Sequence, residues 1–214
     1  MGAVHELIVN GVFAMDSVST STETALAELA LAACEAPRRV LVGGLGLGHT
    51  ALAVLRDPRV AEAVVAEIEA PLVQWASARL VPSLAEVASS PRVDLVAVDV
   101  AALLARSPAA FDAILLDVDN GPSFLVHAHN AGLYAESGLR AALAALAPGG
   151  VLAIWAAQAE PALVIRLDAL AAQEDLDVRE EVLAVAREGR TFEYAVYLAV
   201  RRSRSPAARP RDLA

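Results

Sequence analysis

The sequence predicts a doubly wound α/β fold: a mostly parallel seven-stranded sheet with an antiparallel edge strand, helices on both faces, and a small β-hairpin in front. Three observations carry this. Beyond Pro37, short apolar runs alternate with Ala/Leu-rich segments of helical spacing, the pattern of parallel strands joined by crossover helices. The glycine-rich turn VLVGGLGLGHT, residues 40–50, falls between one such run and the next helix. The last two apolar runs are too close together for a crossover, so they pair antiparallel.

Taken in order, Leu7 to Val9 and Val12 to Met15 flank Asn10-Gly11, a dipeptide suited to the two positive-φ positions of a tight hairpin turn. This places the hairpin at 5–16. TETALAELALAACEA then repeats apolar residues at helical spacing, with Glu23 near the positive end of the helix. RRVLVGG ends a buried strand at Val42, residues 48–56 read as a helix, Val60 to Ile68 carry a strand, and Pro71 to Leu80 form a helix. VDLVAVD at 93–99, FDAILLD at 111–117 and GVLAIWA at 150–156 are further strands. VREEVLAVA at 178–186 and FEYAVYLAV at 192–200 join through Glu188-Gly189-Arg190 as the antiparallel pair. Trp75 is expected in the core and Trp155 in sheet packing. Residues 1–200 thus make one domain, followed by a disordered basic tail at 201–214.

Composition limits the function. The chain of 214 residues carries a net charge of −9, and 57% of it is hydrophobic. That suffices for one buried core. Five arginines crowd the last 14 residues, leaving the body near −13, which disfavours nucleic acid as a partner. No apolar run reaches the roughly 18 residues of a membrane span, and the start does not read as a signal peptide. Cys34, the sole cysteine, excludes an intrachain disulfide and reads as a small core residue. A cytoplasmic protein is expected. Exposed apolar helix faces predict a homodimer.

The strand ends carry the candidate chemistry. Gly44, Gly46 and Gly48 allow a close backbone approach to a ligand ahead of a helix N-terminus. Glu67 and Glu69 follow about 20 residues later, where a carboxylate accepts from both ribose hydroxyls; Glu67 is preferred, and Glu69 reads equally as a helix-start charge. There is no lysine in the chain, so no phosphate-cradling Gly-Lys-Ser/Thr loop exists. Asp99 is placed to accept from an adenine amine, with Val100 as an apolar contact, or to cap the helix that follows. Asp117 emerges from a buried strand as the acid/base candidate. Asp119 and Asn120 shape a substrate loop or an ordinary turn, and Tyr134 covers a small substrate or packs against the next helix. His49 reads as a cap or pocket wall. His127 and His129 share a direction in an extended segment, but without a further ligand no metal is expected. An adenine-nucleoside cofactor is the expected ligand.

In this order, ELIVNGVFAMDS, VLVGGLGLGHT, VVAEIE, Asp99, FDAILLDVDNGP, Leu133-Tyr134 and LAPGGVLAIW resemble the spermidine synthase-like branch of the S-adenosylmethionine-dependent transferases, over most of residues 5–158. The resemblance implies a Rossmann-like methyltransferase fold, with Glu67 on the cofactor ribose, Asp99 on adenine and Asp117 facing the substrate amine or donor group. Leu47 stands where the family's aminopropyltransferases carry an acid associated with the donor's free amine. The pair Asp117-Val118-Asp119 is closer than the usual aspartate pair. Typical family enzymes also place a larger β domain, which specifies polyamine length and subunit packing, where this chain offers one hairpin. These differences favour methyl transfer from S-adenosylmethionine to an oxygen or nitrogen of a small-molecule acceptor. Aminopropyl transfer from decarboxylated S-adenosylmethionine to a polyamine is the alternative, and a non-catalytic nucleoside-binding or assembly protein is the third reading.

Overall fold

A computed structural model describes residues 4–9, 11–18, 20–125, 127–187 and 189–202. Asn10 of the expected hairpin turn, Glu188 of the last connection and the tail from 203 lie outside the described residues. The hairpin is present as β1 (Glu6–Val9) and β2 (Val12–Asp16), with a bulge between Leu7 and Ile8. It forms a two-stranded sheet of its own. Helix α1 (Ser21–Ala33) follows, and Cys34 at its end is buried.

The main domain runs β3 (Arg39–Gly43), α2 (His49–Arg56), β4 (Glu62–Glu67), α3 (Ala70–Ser77), α4 (Pro82–Ser89), β5 (Val93–Ala97), α5 (Val100–Ala105) and β6 (Phe111–Leu116). It continues through a 3₁₀ turn at Ala128–Asn130, α6 (Ala131–Tyr134), α7 (Glu136–Ala145), β7 (Leu146–Ala156), α8 (Pro161–Ala171), β8 (Leu176–Arg187) and β9 (Arg190–Arg201). The seven-stranded sheet has the order β5-β4-β3-β6-β7-β9-β8. Strands β3 to β7 are parallel, and β9 pairs antiparallel with both β7 and β8. The expected antiparallel pair therefore closes one edge, with the reversed strand β9 inside it and β8 outermost. Arg201 is the last residue of β9, so the strand runs one residue past the expected boundary of the tail.

Strand alternation divides the core into two layers. Val40, Val42, Ala113 and Leu115 face one way and pack with Leu26, Leu31, Val54, Leu84 and Val87 of α1, α2 and α4. Leu41, Ile114, Leu116 and Ile154 face the other way and pack with Leu104, Leu139, Leu143, Leu163 and Leu167 of α5, α7 and α8. Trp75 corrects the expectation of a core position: it is 43% exposed. The buried face of α3 is Leu72 and Ala76, and Trp75 lies about 80° around the helix from the centre of that stripe. Among the described residues no helix is long and apolar enough to cross a membrane.

Candidate active site

In this strand order the sheet grows in both directions from β3, to β4 on one side and β6 on the other. The carboxyl ends of β3 and β6 flank that switch point, where open α/β sheets hold their ligands. A cleft of about 910 Å³, counting the open space at its mouth, lies there.

One half of the cleft is built by Gly44, Gly46, Glu67, Glu69, Asp99 and Val100. The turn after β3 is tied down at both sides: the Gly44 N–H donates to the Ala66 carbonyl at 2.8 Å, and the Asp117 N–H donates to the Gly43 carbonyl at 2.9 Å. Gly44 has φ +93, and a Cβ there would overlap the Asp117 carbonyl oxygen. Gly46 has φ +50, and its Cβ would stand 2.5 Å from the Met15 sulfur. Backbone packing against Asp117 thus demands glycine at position 44, while at position 46 the left-handed backbone favours it and the flexible Met15 side chain could yield. Gly44→Ala is expected to destabilise the fold by about 1–3 kcal/mol, read by denaturant unfolding. Gly48 does not line the cleft; it caps α2 and packs against Val87 and Leu84 of α4.

Glu67 is buried, and both its oxygens are engaged. Oε2 accepts from the Leu45 N–H and Oε1 from the Glu69 N–H, each at 2.8 Å. Each oxygen retains a further acceptor site, as a ribose diol requires. Asp99 caps α5 by accepting from the Ala101 N–H at 2.8 Å, and it also lines the cleft. The cap therefore leaves the carboxylate at the cleft wall. The buried Val100 lies beside it. This cradle fits an adenine nucleoside: paired acceptors, an apolar contact and a backbone floor without side chains.

The other half is acidic. Asp117 follows β6 and accepts from the Thr50 hydroxyl at 2.6 Å. Burial pushes its pKa up to about 7, with Glu23 adding to the rise and the Thr50 hydrogen bond opposing it. Asp119 is buried, accepting from the His127 N–H at 3.3 Å and the Asn130 amide at 2.7 Å. Asn120 lines the cleft, and its carbonyl accepts from the Ala157 N–H. Tyr134 is not brought to the cleft. It is buried in the second core layer, its hydroxyl has no hydrogen-bond partner, and burial beside Asp119 and Asp117 holds the phenol above its ordinary pKa. Leu47 is also buried in the core, its N–H against the Met15 sulfur.

Several further residues line the cleft. Glu23, taken as a helix-end charge, is buried and lines the cleft. Trp155, taken as sheet packing, also lines it, as do Leu7, Val9 and Met15 of the hairpin. His127 Nε2 stands 3.4 Å from Glu69 Oε1, linking the acidic loop to the start of α3. The buried Glu160 holds the same loop by accepting from the Ser123 N–H at 3.0 Å and the Ser123 hydroxyl at 2.6 Å. Its only sequence signal is an acid before a helix-starting proline. Among the described residues no three metal-ligating side chains converge.

Known proteins share both the fold and part of the sequence. The chain is similar to a spermidine synthase in complex with the transition-state analogue AdoDATO, at a TM-score of 0.73 and 19% identity, covering 91% of this chain and 66% of that one. The O-methyltransferase TomG of Streptomyces achromogenes gives 0.56 at 21% identity, covering 87% and 82%. Polyamine aminopropyltransferase 2 of Pseudomonas aeruginosa is 32% identical over 133 residues, 60% of this chain and 36% of that protein. Putrescine N-methyltransferase 3 of Nicotiana tabacum is 33% identical over 130 residues, 59% and 32%. The chain spans about a third of the length of these curated relatives. Residues 20–175 match the spermine/spermidine synthase domain, and the chain belongs to that family.

Proposed function

We propose that the protein transfers an aminopropyl group from decarboxylated S-adenosylmethionine to the nitrogen of a small amine. The observation that carries this is the charge of the cleft. Among the described residues Glu23, Glu67, Glu69, Asp99, Asp117 and Asp119 line it, no arginine does, and the one imidazole, His127, is engaged with Glu69. The carboxylate of S-adenosylmethionine would be desolvated there beside like charges. The decarboxylated donor and an amine acceptor are cationic and suit the same walls. Glu23 supplies a carboxylate for the donor's ammonium that Leu47 does not. The P. aeruginosa relative supports the same choice.

The bound donor supplies an electrophilic carbon whose bond to sulfur breaks as the amine's C–N bond forms, leaving methylthioadenosine and releasing one proton. Glu67 and Asp99 hold the nucleoside, and Val100 supports its base. Asp117, held by Thr50, orients the acceptor nitrogen and takes its proton, since its pKa near 7 suits a base at neutral pH. The Asp119–Asn120 segment shapes the acceptor side, with Tyr134 packed behind it.

Methyl transfer, the choice favoured by the sequence, is the second reading. It is supported by the apolar Leu47 and by the N. tabacum relative. Incubation with each donor and a set of amines, followed by mass analysis, separates the two. Methylthioadenosine with an aminopropylated amine is expected; S-adenosylhomocysteine with a methylated amine would replace the first reading by the second. Binding of methylthioadenosine without turnover of either donor would favour the non-catalytic reading.

A further inference from the structure

We infer that Glu160, which stands outside the cleft, is a positioning residue for the amine acceptor: its carboxylate sets the segment that carries Asp119 and Asn120. The inference rests on the amine-acceptor reading above and names a residue that serves that half of the site. Glu160 is 3% exposed and is not among the residues that line the cleft. A carboxylate so buried needs partners that replace its lost hydration. Among the described residues no cation pairs with it; its partners are the Ser123 N–H at 3.0 Å and the Ser123 hydroxyl at 2.6 Å.

The residue's place in the chain offers its side chain another use. Glu160 directly precedes Pro161 at the start of α8, where unpaired N–H groups favour a carboxylate. Its backbone carbonyl accepts from the Leu163 and Val164 N–H groups, but its side chain makes no cap hydrogen bond. The carboxylate turns instead to Ser123, 37 residues earlier. Glu160 is itself fixed from behind. Its N–H donates to the Tyr197 hydroxyl at 2.6 Å, and that hydroxyl donates to Glu180 Oε1 at 2.9 Å. Tyr197 lies on β9, paired with Ile154 of β7 and Glu180 of β8, so the acid is tied to the sheet before it reaches the loop.

The loop meets the end of β7 and the start of α8 at three places. The Asn120 carbonyl accepts from the Ala157 N–H at 3.0 Å. Gly121 approaches Ala156 so closely that a Cβ on it would stand 2.9 Å from the alanine's own. Ser123 meets Glu160, and the Phe124 N–H donates to the Gly121 carbonyl at 3.1 Å, closing the turn between them. The first two contacts bring loop backbone to the sheet; the third depends on one side chain. Asp119 and Asn120, which line the cleft, lead directly into this turn. Asp117 has other anchors, the Gly43 carbonyl and the Thr50 hydroxyl, and Glu67 and Asp99 stand at other strand ends. Losing the Glu160 tie therefore falls on acceptor binding and leaves the proton acceptor and the nucleoside in place.

The test compares the purified full chain with Glu160→Ala, Glu160→Gln and Ser123→Ala, using putrescine, spermidine and hexylamine with each donor in turn. The nucleoside product of the unaltered chain identifies the donor, and the variants are ranked with the donor and amine that turn over, so the two readings can fail separately. Glu160→Ala is expected to raise the amine's KM by about 10–100-fold, the loss of hydrogen bonds to a charged group. Its kcat stays within about threefold and its methylthioadenosine affinity within about twofold, as a pure binding loss requires. Glu160→Gln keeps an oxygen for the Ser123 N–H and turns its amide to a hydroxyl that accepts as well as donates, so KM stays within about threefold. Ser123→Ala loses the hydroxyl alone, raises KM by about three- to tenfold, and adds nothing when combined with Glu160→Ala. A KM unmoved by Glu160→Ala, or an equal loss of methylthioadenosine affinity, overturns the inference. So does a Glu160→Gln protein as impaired as Glu160→Ala, because a charge acting on the amine itself would then explain both. If Glu160→Ala does not fold, Ser123→Ala decides: a raised KM with unchanged nucleoside affinity supports the inference, and an unchanged KM overturns it. With no turnover from either donor, calorimetry of the same amines on the methylthioadenosine-saturated chain replaces KM. Weaker binding by Glu160→Ala supports the inference, and equal binding, or none by the unaltered chain, overturns it.

Discussion

Replacing Asp117 by asparagine is expected to lower kcat/KM by about 10²–10⁴-fold, the usual contribution of a positioned acid or base. Asparagine keeps an oxygen for the Thr50 hydroxyl, which lies 2.6 Å from the carboxylate, so the local hydrogen bond survives while the proton acceptor is lost. The pH profile separates this from misplacement. In the unaltered protein the carboxyl titrates near 7, and the acceptor's ammonium titrates higher. Below about 7 the carboxyl's own proton must leave before it can take the acceptor's, so log kcat/KM rises by about one per pH unit and levels off above 7, whereas without this base the acceptor's ammonium must deprotonate by itself. The variant retains only the acceptor's slope. An Asp117→Asn protein whose profile still breaks near 7 would show that another group is the base.

The same carboxyl makes a stability prediction whose sign is fixed by burial. Its folded pKa, about 7, lies above the ordinary 3.8, so between those values the folded chain binds more protons than the unfolded one. Stability from this group is fully present below about 4 and is lost as pH rises through about 7. The asparagine variant has no such loss. Its melting temperature is expected to exceed that of the unaltered protein at pH 8 and to converge with it near pH 4. A variant both less active and more stable at neutral pH would mark Asp117 as a group kept for chemistry at the expense of the fold.

What could be read from the sequence follows from how parallel strands deliver residues. Once VLVGG, VVAEIE, VDLVAVD and FDAILLD are recognised as strands, whatever follows each must emerge at the same edge of the sheet. Glu67, Asp99 and Asp117 accordingly all line the cleft. The glycine turn was legible for the same reason, although the atoms that a side chain would meet at Gly44 and Gly46 belong to Asp117 and Met15, far away in sequence. Residues whose location depends on how one element docks on another were not legible. Glu23 reads as a helix-end charge until α1 is laid against the sheet, and Leu7, Val9 and Met15 read as a hairpin until it covers the glycine turn. Tyr134 follows an apolar pattern that suits either face of α6, and packing turns it inward. The tie from Glu160 to Ser123 spans 37 residues, and no local pattern announces it.

Glu67 tests the nucleoside half. The buried carboxylate joins two turns, holding the Leu45 and Glu69 N–H groups at 2.8 Å, and it is assigned the ribose hydroxyls as well. Substitution by glutamine leaves the side-chain length but turns an NH₂ toward one of those donors, opposing two hydrogens where one bond had been. A lost hydrogen bond to a charged group costs about 1.5–3 kcal/mol, so Glu67→Gln is expected to weaken methylthioadenosine binding by about 10–100-fold in calorimetry. Glu67→Ala leaves both N–H groups unpaired, at about 1–3 kcal/mol each, and is expected to lower the melting temperature further and abolish measurable binding. Affinity and stability must be read together, because the residue serves both turns and ligand. If Glu67→Gln melts earlier yet binds methylthioadenosine unchanged, the carboxylate only braces the backbone, and the ribose must be held elsewhere. If affinity falls while hydrogen exchange at Leu45 and Glu69 is unaltered, the loss belongs to the ligand contact itself.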